Sequence, residues 1–331
     1  MGNAKYIIVT GGLGFIGSNL IAKLEERGYD KIIVIDSFGN SDKWKNIAKR
    51  NCICKVISPE DIFLTLESLS ESVQAIIHLG AISSTTEKDA DKLYITNYQL
   101  SVDLYVWCKQ NAAQFIYASS ASVYGDSTEF RDSDSVNDIH KLRPLNAYGW
   151  SKKLIDSFIA NDGGFSEATN QNVALRFFNV YGPNEYHKGS QASVIFHFFN
   201  QIKNNGTVGL FKSITDLIKD GEQMRDFVYV EDCVKVIIWF LEHPNIKGIF
   251  NVGTGIPASF NDVAEGIFNC LCQPKNIKYI DMPIDIQSHY QNYTIASLDK
   301  LRSAGCNETF RTIEYGIGNY IELLKQKDQY I

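Results

Sequence analysis

Lys5-Tyr-Ile-Ile-Val-Thr-Gly-Gly-Leu-Gly-Phe-Ile-Gly17 is an apolar run that ends in regularly spaced glycines. The apolar part has the length of a buried strand, and the residues that follow the run have helical periodicity. Gly11 permits a tight turn and Gly14 lets a phosphate approach the backbone, while Gly17 allows the helix to pack closely on the strand. The free N–H groups of the helix N-terminus attract anions. The segment therefore predicts a dinucleotide-binding turn.

A second part of this predicted site lies at the end of the next apolar run. Asp36 ends that run about 20 residues after the third glycine, where a carboxylate accepts the hydroxyls of the adenosine ribose. A carboxylate there disfavours a 2′-phosphate and favours NAD, whereas Lys43 in the loop beyond could pair with the 2′-phosphate of NADP. We expect Phe15, Ile16 and Ser37 to contact the dinucleotide together with these residues.

The first half of the chain alternates apolar runs of strand length with helical segments. The runs cover Tyr6–Thr10, Ile32–Asp36, Ala75–His78, Phe115–Ser119 and Val173–Phe177. The longest helical segments between them cover Ser18–Arg27, Leu93–Gln110 and Ser151–Asn161. Strands that are apolar throughout and joined by helices are typical of a parallel sheet covered on both faces. The sequence therefore predicts an α/β fold with a doubly wound parallel sheet of the Rossmann type.

The pattern changes after about residue 177, where aromatic residues, glycines and loops dominate. Two further strands are predicted at Phe227–Val230 and Gly248–Val252, with a helical segment between them. No linker rich in proline, glycine or serine separates the two parts of the chain. We therefore expect a smaller α/β substrate domain interleaved with the first. Residues 1–177 and about 224–255 would bind the dinucleotide, and residues 178–223 and 256–331 would bind the substrate.

Tyr148 and Lys152 are predicted to form a catalytic pair. They are four residues apart, so on a helix their side chains share one face. A tyrosine with its ordinary pKa of about 10 is a poor base at neutral pH, but a neighbouring ammonium group and an oxidised nicotinamide would lower that pKa. Ser120 directly follows the strand predicted over Phe115–Ser119, at the sheet edge where ligands bind, and its hydroxyl would bond to the same substrate oxygen. These residues predict oxidation of a substrate hydroxyl group.

Composition excludes several other classes of function. The formal net charge of −6 gives no electrostatic footprint for nucleic acid. No apolar run reaches the roughly 20 residues needed to cross a membrane, and no signal-peptide pattern opens the chain, so we expect a cytoplasmic protein. The 7 cysteines and 6 histidines lack the spacing of a disulfide framework or a metal site. We therefore expect no bound metal.

Longer motifs connect the chain to a known group of enzymes. Four segments resemble the extended short-chain dehydrogenase/reductases: Gly11–Gly17, Ser119–Gly125, Tyr148–Lys152 and Arg225–Val230. Within that group, the chain is most similar to the ADP-L-glycero-D-manno-heptose 6-epimerase family. Three segments carry this second similarity: His78–Glu87, Asn179–Ser193 and, more loosely, Ser288–Thr294. The likeness extends from Ile7 to about Leu324.

This resemblance implies a reaction and a set of site residues. Enzymes of the family invert C6 of ADP-D-glycero-β-D-manno-heptose by transient oxidation with a bound nicotinamide, and the product is a precursor of the lipopolysaccharide inner core. Tyr148 would take the proton of the C6 hydroxyl. Lys188 would be the second proton donor, because one base cannot serve both orientations of the 6-keto sugar. The resemblance also implies five residues at the substrate: Ser83, Asn179, His187, Arg225 (near the diphosphate) and Tyr290.

The resemblance also implies a cofactor and an oligomeric state. It implies NADP, with Lys43 near the 2′-phosphate, and a homo-oligomer, described for the family as a pentamer. The chain departs from the family at three places. Ser37 replaces an asparagine, Asn51–Lys55 lacks the usual aspartate near the adenine, and Ile214–Asp220 resembles an insertion beside the nucleotide. NADP is therefore the predicted cofactor and NAD is the alternative.

Three other activities are weighed against this one. A sugar-nucleotide dehydratase needs an acidic pair directly after the strand-end hydroxyl, and Ala121 and Ser122 stand there instead. An epimerase or dehydrogenase acting on another nucleotide sugar fits the general motifs, although Lys188 argues against it. A regulatory protein that binds NAD(P) without catalysis is a further alternative. Such proteins typically lack the tyrosine–lysine pair that this chain keeps.

Overall fold

The computed structural model describes residues 5–69, 72–287 and 290–331. Its strands are β1 (Tyr6–Thr10), β2 (Ile32–Ile35), β3 (Ile53–Ile57), β4 (Val73–His78), β5 (Gln114–Ser120), β6 (Asn172–Phe177), β7 (Asn179–Tyr181), β8 (Val208–Phe211), β9 (Met224–Arg225), β10 (Phe227–Tyr229), β11 (Gly248–Val252), β12 (Ala258–Ser259) and β13 (Ile277–Ile280). Seven of them form one parallel sheet in the spatial order β11–β6–β5–β4–β1–β2–β3. The predicted parallel sheet is confirmed.

Helices cover both faces of this sheet. They are α1 (Phe15–Glu26), α2 (Ile62–Leu69), α3 (Ala90–Leu93), α4 (Leu100–Gln110), α5 (Val136–Lys141), α6 (Ala147–Asn161), α7 (Val194–Asn205), α8 (Val230–Glu242), α9 (Phe260–Cys270), α10 (Ile284–Gln287), α11 (Asp299–Ser303) and α12 (Ile313–Leu324). Apolar side chains of α1 and α8 pack on one face, and those of α2, α4 and α6 pack on the other. Two apolar layers enclose the sheet, so the doubly wound arrangement is confirmed as well.

The strand order reverses between β1 and β4. From β1 the chain first builds outward to β2 and β3, and then crosses to β4 on the other side. The carboxyl ends of the two strands meet there, because Leu79 N donates to Thr10 O over 3.1 Å. In open α/β sheets such a reversal leaves a crevice at the carboxyl ends of the strands, where ligands bind. The topology therefore places a ligand site directly beyond Thr10 and His78.

A separate apolar cluster lies beside the sheet. It is formed mainly by α7, α9 and α12, together with short strand pairs such as β8 with β13. Its members lie between Tyr181 and Leu324 in the chain. The strands β6 and β11 pair within the main sheet, although the segment between them contributes to this cluster. We propose the division into 1–177 with about 224–255, and 178–223 with 256–331, as the two domains.

All three predicted helices differ in their bounds. The helix predicted over Ser18–Arg27 covers Phe15–Glu26. The helix predicted over Leu93–Gln110 is interrupted by a π-helical segment, Tyr94–Gln99. The helix predicted over Ser151–Asn161 begins four residues earlier, because the Asn146 side chain accepts a hydrogen bond from Gly149 N over 2.8 Å and caps it. That earlier start places Tyr148 in the first turn of α6.

Candidate active site

A cavity of about 500 Å³ lies at the carboxyl edge of the sheet. Most of the predicted site residues line it: Gly11, Gly14, Phe15, Ile16, Gly17, Asp36, Lys43, Ser83, Ser120, Tyr148, Lys152, Asn179, His187 and Lys188. Three predicted residues, Ser37, Arg225 and Tyr290, do not line it. The folded chain thus brings residues from most of its length to one space.

The glycine turn leaves no room for side chains. A Cβ at Gly17 would lie 2.2 Å from the carbonyl oxygen of Gly11, and a Cβ at Gly11 would lie 2.6 Å from the nitrogen of Gly80. Gly11 also has a φ of +67°, which side-chain-bearing residues rarely adopt. The first turn of α1 holds no acidic side chain, and its N–H groups have no acceptors within the helix. The turn therefore fits the pyrophosphate of a dinucleotide.

Asp36 and Lys43 form an ion pair directly after β2, beside this turn. Lys43 Nζ lies 2.6 Å from Asp36 Oδ1, and it also donates to Ser37 O over 3.1 Å. The carboxylate accepts two backbone N–H groups as well, from Leu13 over 2.9 Å and from Ser37 over 2.7 Å. Ser37 thus contributes its backbone to this corner. Because Lys43 neutralises Asp36, this carboxylate repels an additional phosphate less than an unpaired carboxylate would.

Tyr148 and Lys152 lie on one face of α6, and Ser120 lies beside them at the end of β5. A hydrogen bond with Ser120 lowers the pKa of Tyr148, but the larger effect is burial, which raises that pKa. The lowered tyrosine pKa expected from the sequence is therefore absent in the protein alone. Burial also lowers the pKa of Lys152 to about 8, against the opposing charge of Asp156. Lys152 is thus largely an ammonium group at neutral pH.

Asp156 connects the helix that carries Tyr148 and Lys152 to the sheet beneath it. It follows Lys152 by one helical turn and is fully buried, and it forms an ion pair with Arg176 at 2.9 Å. Its oxygens also accept the hydroxyl of Tyr117 over 2.8 Å and that of Ser119 over 3.1 Å. These bonds connect α6 to β5 and β6, so the face of the helix that carries Tyr148 and Lys152 is fixed to the sheet. Sequence analysis missed Asp156, although Tyr148, Lys152 and Asp156 follow one another at intervals of four residues.

A buried chain of polar side chains supports the site from behind. His78 contacts Thr10 Oγ1 at 2.6 Å through Nδ1 and Ser101 Oγ at 2.8 Å through Nε2. In the π-helical segment, Asn97 donates to Ser151 Oγ over 3.1 Å, and that hydroxyl donates to Tyr148 O over 2.7 Å. This segment thereby supports the first turn of α6 from a neighbouring helix. Sequence analysis missed Asn97, because the interruption of the helix left no signal in the apolar pattern.

His78 is expected to make the protein sensitive to acid. Burial and the nearby charge of Lys152 lower the pKa of His78 to about 3, while an unfolded histidine titrates at about 6.5. The unfolded chain then binds one more proton below pH 6.5, so stability falls as the pH falls from that value toward about 3. This residue alone should remove about 2 kcal/mol of unfolding free energy between pH 7 and pH 5.

Urea unfolding at the two pH values measures this effect. The His78→Gln variant lacks the titrating group, so its unfolding free energy should depend on pH by about 2 kcal/mol less than that of the native protein. An identical pH dependence in both proteins would show that His78 is not the responsible group.

Lys188 reaches the cavity from the loop after β7. Its ammonium group lies 5.3 Å from the centre of the Phe15 ring, which belongs to the glycine turn. Burial lowers the pKa of Lys188, and the carboxylate of Glu185 opposes this shift. Glu185 is itself buried and accepts a hydrogen bond from the hydroxyl of Ser193 over 2.7 Å. This bond joins the residues on either side of the segment that contains Lys188. Lys188 and Tyr148 come from separate parts of the chain and line the same cavity.

Arg225 and Tyr290 lie next to this cavity. The Arg225 guanidinium is 5.6 Å from the ring centre of Phe260, a cavity-lining residue, and 5.0 Å from the ring centre of Tyr290. Burial lowers the pKa of Arg225. Across the part of the chain that the structure describes, no carboxylate forms an ion pair with it. A buried cation without a carboxylate partner suits an anionic ligand.

The segment Ser288–Thr294, which carries part of the resemblance, is described only in part. Its first two residues, Ser288 and His289, lie outside the described residues.

The segments that depart from the family lie away from the cavity lining. None of residues 214–220 and neither Cys52 nor Cys54 belongs to that lining. Leu217 is 93% exposed, so the 214–220 segment is a surface feature. Within residues 5–69, 72–287 and 290–331, no group of three histidine, cysteine or acidic side chains could hold a metal ion. In the same ranges, no helix is both long and apolar enough to cross a bilayer.

A parallel sheet with a glycine turn, and a tyrosine and lysine one helical turn apart at its open edge, is the arrangement of dehydrogenase-like enzymes that use a nicotinamide dinucleotide. Residues 7–253 match the model of the NAD dependent epimerase/dehydratase family. The chain belongs to that family.

Two relatives show which enzymes of this family the chain resembles. The chain is 44% identical over 316 residues to the ADP-L-glycero-D-manno-heptose-6-epimerase of Nitratidesulfovibrio vulgaris strain DP4, which covers 95% of this chain and 96% of the relative. It is 40% identical over 335 residues to the enzyme of the same name from Fusobacterium nucleatum, covering 98% of this chain and 100% of the relative. The resemblance expected from the sequence segments is confirmed.

Solved structures agree with the fold. The crystal structure of Helicobacter pylori ADP-L-glycero-D-manno-heptose-6-epimerase superimposes with a TM-score of 0.79 at 29% identity, covering 96% of this chain and 95% of that one. The Thermus thermophilus UDP-glucose 4-epimerase, solved in complex with NAD, has a TM-score of 0.76 at 23% identity, covering 96% of this chain and 98% of that one. The second likeness concerns the fold alone.

Proposed function

We propose that the protein inverts C6 of ADP-D-glycero-β-D-manno-heptose to give ADP-L-glycero-β-D-manno-heptose. The observation that carries this proposal is that Tyr148 and Lys188, two groups able to transfer protons, line the same cavity from separate parts of the chain. Relatives at 40–44% identity that bear this enzyme name support the choice of sugar. Inversion needs proton transfer at two orientations of the sugar, and two such groups meet that need.

A bound nicotinamide dinucleotide supplies the acceptor, and later the donor, of the C6 hydride. The Lys152 ammonium stabilises Tyr148 as the phenolate. The phenolate takes the proton of the C6 hydroxyl in the D-glycero epimer and becomes neutral, and the Ser120 hydroxyl holds the same substrate oxygen in place. After the 6-keto sugar turns over in the cavity, the Lys188 ammonium donates the proton that completes the L-glycero hydroxyl. Burial favours this step, because it lowers the pKa of Lys188.

The rest of the cavity and the residues next to it suit the substrate. Arg225 lacks a carboxylate partner among the described side chains, so we assign its guanidinium to the diphosphate, with Tyr290 packed against it. Ser83, Asn179 and His187 line the cavity and can donate hydrogen bonds to a sugar. We further propose that the product serves lipopolysaccharide inner-core synthesis and that the enzyme is a homo-oligomer, by resemblance a pentamer.

We propose NADP as the cofactor and Lys43 as the residue that selects it. Lys43→Ala should weaken NADP binding by about 10- to 100-fold, because a charge-assisted hydrogen bond is lost and Asp36 is left unneutralised. NAD affinity should change by less than about 3-fold, since NAD has no 2′-phosphate. Titration calorimetry with both dinucleotides measures the two affinities.

Lys45→Ala is the matched control for this experiment. Lys45 lies with Lys43 in the short 3-10 helix Asp42–Ile47 but pairs with Asp42 over 2.8 Å at the surface. Its removal should leave both affinities unchanged. If Lys43→Ala kept the native preference between NADP and NAD, the assignment of the 2′-phosphate to Lys43 would be wrong.

Proton NMR tests the reaction itself. The purified protein is incubated with ADP-D-glycero-β-D-manno-heptose, first without added dinucleotide and then with NADP or NAD. Conversion to the L-glycero epimer is expected even without added dinucleotide. The dinucleotide should stay bound to the purified protein, and it is not consumed because the hydride returns to the sugar. An unchanged spectrum under all three conditions would contradict the proposed substrate and favour another nucleotide sugar.

A further inference from the structure

One buried amide joins three segments around the cavity. Asn46 lies in a short 3-10 helix, Asp42–Ile47, and is 1% exposed. Its Nδ2 donates to Leu13 O in the glycine turn over 2.9 Å and to Asn184 O over 3.1 Å. The same nitrogen lies 3.3 Å from Nδ1 of His187. Asn184 and His187 belong to the loop that carries Lys188, so this side chain connects that loop to the cofactor turn.

The imidazole of His187 lies against the Asn46 amide. Burial, with the nearby charges of Lys43 and Lys188, lowers the pKa of His187, so the ring is neutral at pH 7. Asn46 thus contacts the side chain of the residue directly before Lys188. Its amide also holds the backbone at Asn184, four residues before Lys188.

The same two segments are also joined at the surface. The Tyr186 hydroxyl donates to Gln329 O over 2.7 Å, and Lys49 Nζ donates to Tyr330 O over 2.5 Å. The segment 328–331 thus spans the 42–49 region and the Lys188 loop from outside. Because these contacts are independent of Asn46, loss of its amide should shift the loop rather than release it.

We propose that Asn46 is a positioning residue for Lys188: its amide sets the distance between the Lys188 loop and the cofactor turn, and hence the place of the second proton donor. This inference rests on the proposed function, in which Lys188 donates the proton of the L-glycero hydroxyl. A shift of about 1 Å in a catalytic group can cost about 100-fold in rate. The cost should fall on the proton transfer of Lys188 and spare that of Tyr148.

The Asn46→Ala variant tests the proposal through the two directions of the reaction. Each C6 epimer is mixed with the holoenzyme, and the initial rate of nicotinamide reduction is followed by absorbance. Starting from the L-glycero epimer, the rate should fall by about 10- to 100-fold. Starting from the D-glycero epimer, it should change by less than about 3-fold, because Tyr148 performs that step. Equal losses in both directions, or no loss, would overturn the proposal.

Asn172→Ala is the matched control. Asn172 is fully buried, and its amide donates to Gly164 O over 2.9 Å, outside the cavity lining. This variant should change the two rates equally. If Asn46→Ala fails to fold, Asn46→Ser keeps one donor at the position and should show the same asymmetry, with a smaller loss.

Hydrogen exchange separates this inference from the proposed function. Backbone amides of residues 184–191 should exchange faster in Asn46→Ala than in the native protein and in Asn172→Ala, whichever sugar the enzyme accepts. If the native protein converts neither epimer but the exchange difference is present, the substrate is wrong and the link through Asn46 holds. If the exchange of residues 184–191 is unchanged, the positioning role of Asn46 is wrong.

Discussion

Tyr148→Phe is expected to reduce epimerisation by about 100- to 10,000-fold, the usual range for loss of a general acid or base. The phenyl ring keeps the packing of the first turn of α6 and removes only the hydroxyl that reaches Ser120. The fold should therefore lose no more than about 1.5 kcal/mol, the value of one hydrogen bond. NADP affinity should stay within about 3-fold, because in the proposed binding mode the dinucleotide is held mainly by the glycine turn and by Asp36 with Lys43.

The direction of the defect distinguishes the role of Tyr148 from general damage. Nicotinamide reduction by the D-glycero epimer should be almost abolished, while reduction by the L-glycero epimer should persist, since Lys188 serves that orientation. Ser122→Ala is a suitable control, because Ser122 also contacts Ser120, at 3.1 Å, without lining the cavity. Near-normal conversion by Tyr148→Phe would show that another group is the base.

Lys188→Met is expected to produce the opposite asymmetry. Methionine has nearly the length of lysine without the charge, so it can occupy the space against Phe15. Epimerisation should fall by about 100- to 10,000-fold, because the proton of the L-glycero hydroxyl has no donor. Reduction of the nicotinamide by the D-glycero epimer should continue at a near-native rate and then stop at the 6-keto sugar.

The stability of Lys188→Met provides an independent check. Removal of the buried ammonium group relieves its desolvation cost, which the lowered pKa of Lys188 reflects, but it also removes the attraction to the buried Glu185 carboxylate. The two effects oppose each other, so the net change in unfolding free energy should be small. The pKa of Glu185 is already raised by burial and should rise further, since the opposing charge of Lys188 is gone. Equal loss of both half-reactions, measured on a folded variant with native NADP affinity, would contradict the assignment of Lys188 to one orientation.

Local patterns predicted most of the sheet. The strand predicted over Tyr6–Thr10 has the same bounds in the structure, and the strand predicted over Gly248–Val252 does too. Short, mainly apolar runs favour strands of a sheet that is covered on both faces, so these strands follow from composition. The bounds of α6 did not follow, because its start depends on a single capping side chain, Asn146, outside the periodic segment.

Support residues were harder to predict than residues that face the ligand. Asn97 and Asn46 act through hydrogen bonds to backbone and side chains from distant parts of the chain. A single asparagine in a loop or a π-helical segment has no periodicity, and in sequence it looks like any surface amide. Asp156 carried a weak signal, because it continues the four-residue spacing of Tyr148 and Lys152. Its buried ion pair with Arg176 became visible only in three dimensions.

The sequence alone determined the cofactor turn, the parallel sheet and the pairing of Tyr148 with Lys152. Each depends on residues that are close along the chain, where backbone geometry fixes which side chains are neighbours. Only the tertiary structure decided that Lys188 shares a cavity with Tyr148, that Lys43 neutralises Asp36 and that Asn46 connects the two loops. Those contacts join segments that meet only after the chain packs, and their distances depend on how β1, β4 and the smaller cluster are placed around the cavity.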